Sequence, residues 1–111
     1  MRKLISTISA LLIALVSTQA SAINELAFQR LIGYTVVDVK TIVGYQDPDG
    51  TSGQDFKGCQ FNRVIFFQDN RILTCNMYSY VYAYRPNAII FSDGSNWKMF
   101  VENEVFDMRL R

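Results

Sequence analysis

The chain has 111 residues, with 11 Lys and Arg against 10 Asp and Glu, no histidine and two cysteines. That is room for one domain. The missing histidine excludes His-based catalytic dyads, and two cysteines are too few for a Cys/His zinc site. Half of the residues are apolar, which excludes a disordered or collagen-like chain.

Residues 1–22 read as an export signal. Arg2 and Lys3 give a positive start, Leu4 to Val16 is apolar apart from Ser6, Thr7 and Ser9, and Ala20-Ser21-Ala22 supplies a small-residue cleavage pattern. The apolar run is shorter than the roughly 18 residues of a permanent membrane helix, and Ser17-Thr18-Gln19 interrupts it. Cleavage after Ala22 would release residues 23–111 into the periplasm or outside the cell, with no remaining hold on a membrane. Those 89 residues carry 9 basic and 10 acidic side chains, a net charge of −1. A near-neutral domain lacks the basic footprint of a nucleic-acid binder.

The segment Asn24 to Ile32 fits one short amphipathic helix. Asn24 is placed to cap it, Glu25 lies in the first turn, and Leu26, Phe28, Leu31 and Ile32 gather on one side, which would dock against a sheet. Gly33 stops it. From Thr35 the period becomes two: Val37, Val39, Thr41 and Val43 share one face of a strand running to Val43, with Asp38 and Lys40 on the other. Asp47 to Gly58 is a loop rich in Gly and Pro.

Phe61 to Gln68 follows as a strand whose Val64-Ile65-Phe66-Phe67 run suggests burial on both faces. Asp69-Asn70 signals a turn, and Arg71 to about Tyr84 reads as the returning strand, ended by Pro86-Asn87. Ala88 to Ser92, an Asp93-Gly94 turn and Trp97 to Val101 make a second hairpin. A turn at Glu102-Asn103 leads to Val105 to Leu110. The predicted fold is α+β and mainly β: a short N-terminal helix followed by an antiparallel meander of about six strands. The meander is either curled into a small barrel or left open with the helix on one face.

At 89 residues the core is small, and domains of this size gain from a covalent staple. In an oxidising compartment Cys59 and Cys75 are expected to form a disulfide, worth about 3 kcal/mol in the chain-entropy model. A simple two-residue hairpin at Asp69-Asn70 conflicts with it. That register sets Cys75 opposite Val64 and Cys59 opposite Tyr80, five positions apart and too far to bridge. Either the chain bends back at Gly58-Cys59 or a bulge shifts the register.

The most unusual local pattern is Tyr78, Tyr80, Tyr82 and Tyr84. In an extended chain these phenols share one side over about 20 Å, while Met77, Ser79, Val81 and Ala83 take the other. Tyr suits surfaces that are part apolar and part wet, and Arg85 follows with a fork of donors for a carboxylate or phosphate. These five residues form the candidate binding strip. A cross-strand ladder within the sheet would use the same pattern.

Other groups point less clearly to chemistry. Asp47-Pro48-Asp49-Gly50 with Asp55 nearby holds the acids of part of a calcium loop, but lacks the further ligands of an EF-hand and reads as an Asx-type turn. Glu102, Glu104 and Asp107 are the best-clustered acids for a small hydrolase, yet two of them flank a turn. Trp97 reads as a core anchor. Arg63, set in an apolar strand, must snorkel or pair with an acid.

The sequence therefore leads to an exported, non-catalytic binding module of a bacterial-type cell envelope. It uses no metal or cofactor, and its partner is a protein or glycan. A second reading is an inhibitor of a cell-wall hydrolase that inserts loop 47–58, tethered at Cys59, because a rigid loop loses little entropy on docking.

Overall fold

The computed structural model describes residues 25–110. One short helix, α1 (Glu25–Gln29), precedes seven strands: β1 (Thr35–Gln46), β2 (Ser52–Gly53), β3 (Val64–Phe67), β4 (Ile72–Cys75), β5 (Asn87–Ser92), β6 (Trp97–Val101) and β7 (Glu104–Arg109). All pairings are antiparallel, in the order β2-β1-β3-β4-β7-β6-β5. The expected mainly-β antiparallel architecture is present. The expected signal segment 1–22 and the expected cap Asn24 lie outside the described residues.

β1 holds the sheet together. Thr35–Thr41 pairs with β5, and Ile42–Gln46 pairs with β3, with the register shifting between Ile42 and Gly44. At Gly44 a Cβ would stand 2.6 Å from the carbonyl oxygen of Gly53, so a side chain there would push β2 away. A second shift lies between Val36 and Asp38. The expected apolar face of the strand is corrected. Val37 and Val39 are exposed, and the buried positions are Ile42, Gly44 and Tyr45. Between the two shifts alternation is intact, and it is Asp38, Lys40 and Ile42, opposite buried Ile90 and Ala88, that take the core side, while Val39 and Thr41 face outward.

The core follows alternation in the remaining strands: Ile65 and Phe67, Leu73 and Cys75, Ala88 and Ile90, Met99 and Val101, Phe106 and Met108 all point inward and are buried. Burying such a side chain contributes about 1.5–3 kcal/mol. Between β2 and β3 the fully buried Phe56 meets Phe106 edge-on, with ring centroids 5.5 Å apart.

The helix is shorter than expected. α1 gives way to hydrogen-bonded turns up to Tyr34, and of its residues Ala27 is the buried one, while Leu26, Phe28 and Ile32 are exposed. Five helical residues cannot present a full apolar stripe to a sheet. A polar clamp attaches this region instead. Arg30 donates through Nη1 to the carbonyl oxygen of Val105 and through Nη2 to Asp107, both at 2.7 Å.

The returning strand also ends sooner. β4 stops at Cys75, and residues 76–86 lie outside the ladder, bending at Met77 and again at Tyr84-Arg85 and joined to segment 56–59 by isolated bridges. The β3–β4 register pairs Val64 with Thr74 and Phe66 with Ile72, one position from that of a two-residue hairpin, because three residues, 68–70, form the loop. Asn70 sits there at φ 69°, as a bulged three-residue turn requires.

Cys59 and Cys75 are joined by a disulfide with Cα atoms 5.5 Å apart. The register is slipped by one position, and the chain reverses not at Gly58-Cys59, as expected, but at residues 60–63. There the N–H of Arg63 donates to the carbonyl oxygen of Gln60, and that of Asn62, at φ 72°, donates to Cys75.

Candidate binding surface

Three local constraints fix the tyrosine row. The disulfide tethers the start of segment 76–86 to Cys59. Ser79 then exchanges both backbone hydrogen bonds with Cys59, at 2.7 and 2.9 Å, and Ala83 does the same with Phe56, both at 2.9 Å. At the far end the carbonyl oxygen of Pro86 accepts from Ile42 at 2.9 Å, returning the chain to the sheet. Gly58 lets the two segments approach: at φ +81° it holds a conformation that side chains resist, and a Cβ there would stand 2.1 Å from the carbonyl oxygen of Ser79.

Alternation then sorts the side chains as the sequence implies. Met77, Ser79, Val81 and Ala83 are half-buried, with Met77 and Val81 packed on the core, and Ser79 Oγ donates to Glu104 at 2.9 Å. On the other face Tyr78, Tyr80, Tyr82 and Tyr84 are 72%, 72%, 54% and 68% exposed. The four phenols are therefore a surface row and not a buried ladder. Arg85 lies at its end with the guanidinium 5.8 Å from the Tyr84 ring, on a backbone at φ 46°. That left-handed conformation costs a non-glycine residue about 1–2 kcal/mol.

Two further residues extend the surface. The Phe61 ring stacks on Tyr78 with centroids 6.4 Å apart, and the Arg109 guanidinium lies 5.3 Å from Phe61. A hollow of about 320 Å³ separates Lys57, Gln60 and Arg63 from Tyr78 and Tyr80. Sequence spacing gave no direct sign of Phe61. The signal was indirect: a bridge between Cys59 and Cys75 brings residues two and three positions beyond them, Phe61 and Tyr78, into one neighbourhood.

Beneath this surface, buried Arg63 clasps Asp47 through two hydrogen bonds and lies 4.5 Å from the ring of buried Tyr45. Its acid partner thus comes from the loop read as an Asx turn. In the same loop Asp49 accepts from the N–H of Thr51, which holds its carboxyl below the usual range.

The acids considered for catalysis are dispersed. Glu102 is exposed in the β6–β7 turn, and Glu104 serves Ser79. Asp107 accepts from Arg30 and Lys98, each at 2.7 Å. Burial alone would raise the Asp107 carboxyl, but Lys98 and Arg30 outweigh it and hold the group below its ordinary value. Among the described residues no group of three or more Cys, Asp or Glu side chains could hold a metal ion. Trp97 is half-buried against the core, beside a hollow of about 300 Å³ shared with Leu73, Ile90 and Lys40.

Fold and surface together define a disulfide-linked antiparallel β structure that displays an exposed row of four tyrosines. Comparison with family models, curated protein sequences and solved structures finds no match.

Proposed function

We propose that this chain is an exported, non-catalytic binding module of the cell envelope that meets a protein or glycan partner through Tyr78, Tyr80, Tyr82, Tyr84 and Arg85. The observation that carries the reading is the exposure of all four rings, each by more than half, on a segment with no part in the regular strands. Contiguous exposed aromatic surface leaves burial energy unused, and on soluble domains such patches mark interaction sites. The disulfide and the 56–59 pairing hold the row in place before a partner arrives, which lowers the ordering cost of docking.

The pairing of β1 with both β3 and β5 supports a small barrel. The Cys59–Cys75 disulfide and the leader-like residues 1–22 support a periplasmic or secreted location. The inhibitor reading has less behind it. Loop 47–58 is built into the protein by buried Asp47, Phe56, Gly58 and Cys59, which leaves a short exposed tip at residues 48–52.

The test is the double substitution Tyr80→Ala with Tyr82→Ala, assayed for binding to a purified envelope fraction. Retained melting temperature with binding weakened by about tenfold or more supports the reading. Unchanged binding by the folded variant excludes it.

A further inference from the structure

The backbone of the tyrosine row makes a demand of its own. Ser79 and Ala83 spend their N–H and C=O groups on segment 56–59, whereas none of Tyr78, Tyr80, Tyr82 and Tyr84 donates or accepts a backbone hydrogen bond among the described residues. In an extended chain the backbone groups of alternate residues point to opposite edges. Those of the tyrosines thus line an open edge, opposite the one already paired, up to the bend at Tyr84-Arg85. Arg85, at the end of that edge, has no carboxylate partner among the described residues.

We infer that the open edge of Tyr78–Tyr84 takes an extended segment of a partner polypeptide, added as a strand of about six or seven residues, with a carboxylate of that segment seated on Arg85. The inference rests on the reading of the tyrosine face as the binding surface, and it names the class of partner. Main-chain hydrogen bonds supply affinity in strand addition, and alternate side chains supply selectivity. Here the alternate positions of the added strand lie beside exposed phenols, which pair well with β-branched or aromatic side chains. Arg85 holds its costly left-handed backbone at the point where a charged end group would be received.

The edges of two copies do not fit each other. Residues 76–86 contain no Asp or Glu, so antiparallel self-pairing about Val81 would set Arg85 against Met77 and leave it without a carboxylate.

The experiment selects random heptapeptides on the oxidised full chain and resynthesises the best binder with N-methyl groups on either alternate set of amides. Enrichment of extended, acid-bearing peptides is expected, with one N-methylated set weakened by about tenfold or more and the other near wild type, because one set faces the edge. Arg85→Gly should weaken binding by a similar factor without lowering the melting temperature, since glycine adopts φ 46° freely. Amidating the peptide C-terminus separates a terminal from a side-chain carboxylate. No enrichment, equal sensitivity of both N-methylated sets, or chito-oligosaccharide binding in place of peptide would overturn strand addition. The two levels separate cleanly: peptide binding that survives Tyr80→Ala with Tyr82→Ala defeats the tyrosine-face reading itself. Binding lost in that variant but indifferent to N-methylation defeats strand addition alone.

Discussion

Arg63 and Asp47 meet in the protein interior, Nε to Oδ1 at 2.6 Å and Nη2 to Oδ2 at 3.0 Å, with both side chains less than a tenth exposed. The pair ties the start of loop 47–58 to the strand that follows it. The Arg63 Nη1 also reaches the carbonyl oxygens of Lys57 and Gly58, each at 3.3 Å, next to the bridge that carries the tyrosine segment. Removing one member strands the other charge without its partner. Arg63→Ala or Asp47→Ala should each cost about 3–5 kcal/mol, and the double variant Asp47→Leu with Arg63→Met should cost less than either alone. Urea unfolding checks this, and single variants of near wild-type stability would contradict it.

Reduction of Cys59–Cys75, or Cys59→Ala with Cys75→Ala, should lower stability by about 3 kcal/mol. It should also release residues 76–86 ahead of the sheet. Hydrogen exchange of the Ser79 and Ala83 amides checks the order, since both donate to segment 56–59. Protection equal to that in the oxidised protein would show that the disulfide does not hold the segment.

Gly58→Ala strikes the same junction by another route. A methyl group 2.1 Å from the Ser79 carbonyl oxygen, on a backbone at φ +81°, forces the two segments apart. A loss of about 1–3 kcal/mol and faster exchange at Ser79 are expected. Gly50→Ala is the control, because it has a positive φ and open space around it.

How much of this was legible in the sequence depends on range. The two faces of residues 77–84 could be read because period two holds whether or not an extended segment is paired. The strands around Met99–Val101 and Phe106–Met108 were readable for the same reason. The partner of that segment was not. It depends on the reversal at residues 60–63, which brings Cys59 beside Cys75 and opposite Ser79 and leaves no mark in the periodicity. The faces of β1 misled because the side that meets the core over residues 38–42 carries Asp38 and Lys40, and the valine side faces outward. The partner of Arg63 lay 16 residues away in a loop whose composition already had a sufficient reason, turn formation.

Acid should weaken the clamp between the N-terminal turns and β7. The Asp107 carboxyl titrates in the folded protein below its ordinary 3.8. The unfolded chain therefore takes up the proton first as pH falls, and the contribution, complete above about pH 5, is lost through 3.8 toward the lower folded value. Arg30 and Asp107 are 38% and 40% exposed, so Asp107→Asn should cost under about 1 kcal/mol near neutral pH. Urea midpoints of variant and wild type should converge as pH falls below 3.8. A gap that is constant with pH would rule out this charge as the source.

The central claim is that the tyrosine face is covered when the protein is at work. Tyrosine nitration of the oxidised chain, mapped by mass spectrometry with and without the purified envelope fraction, tests it most directly. The prediction is ready nitration of Tyr78, Tyr80, Tyr82 and Tyr84 in the free protein and protection of these four in the bound state, with half-buried Tyr34 unchanged. Four rings that stay equally reactive in a demonstrably bound sample would contradict it.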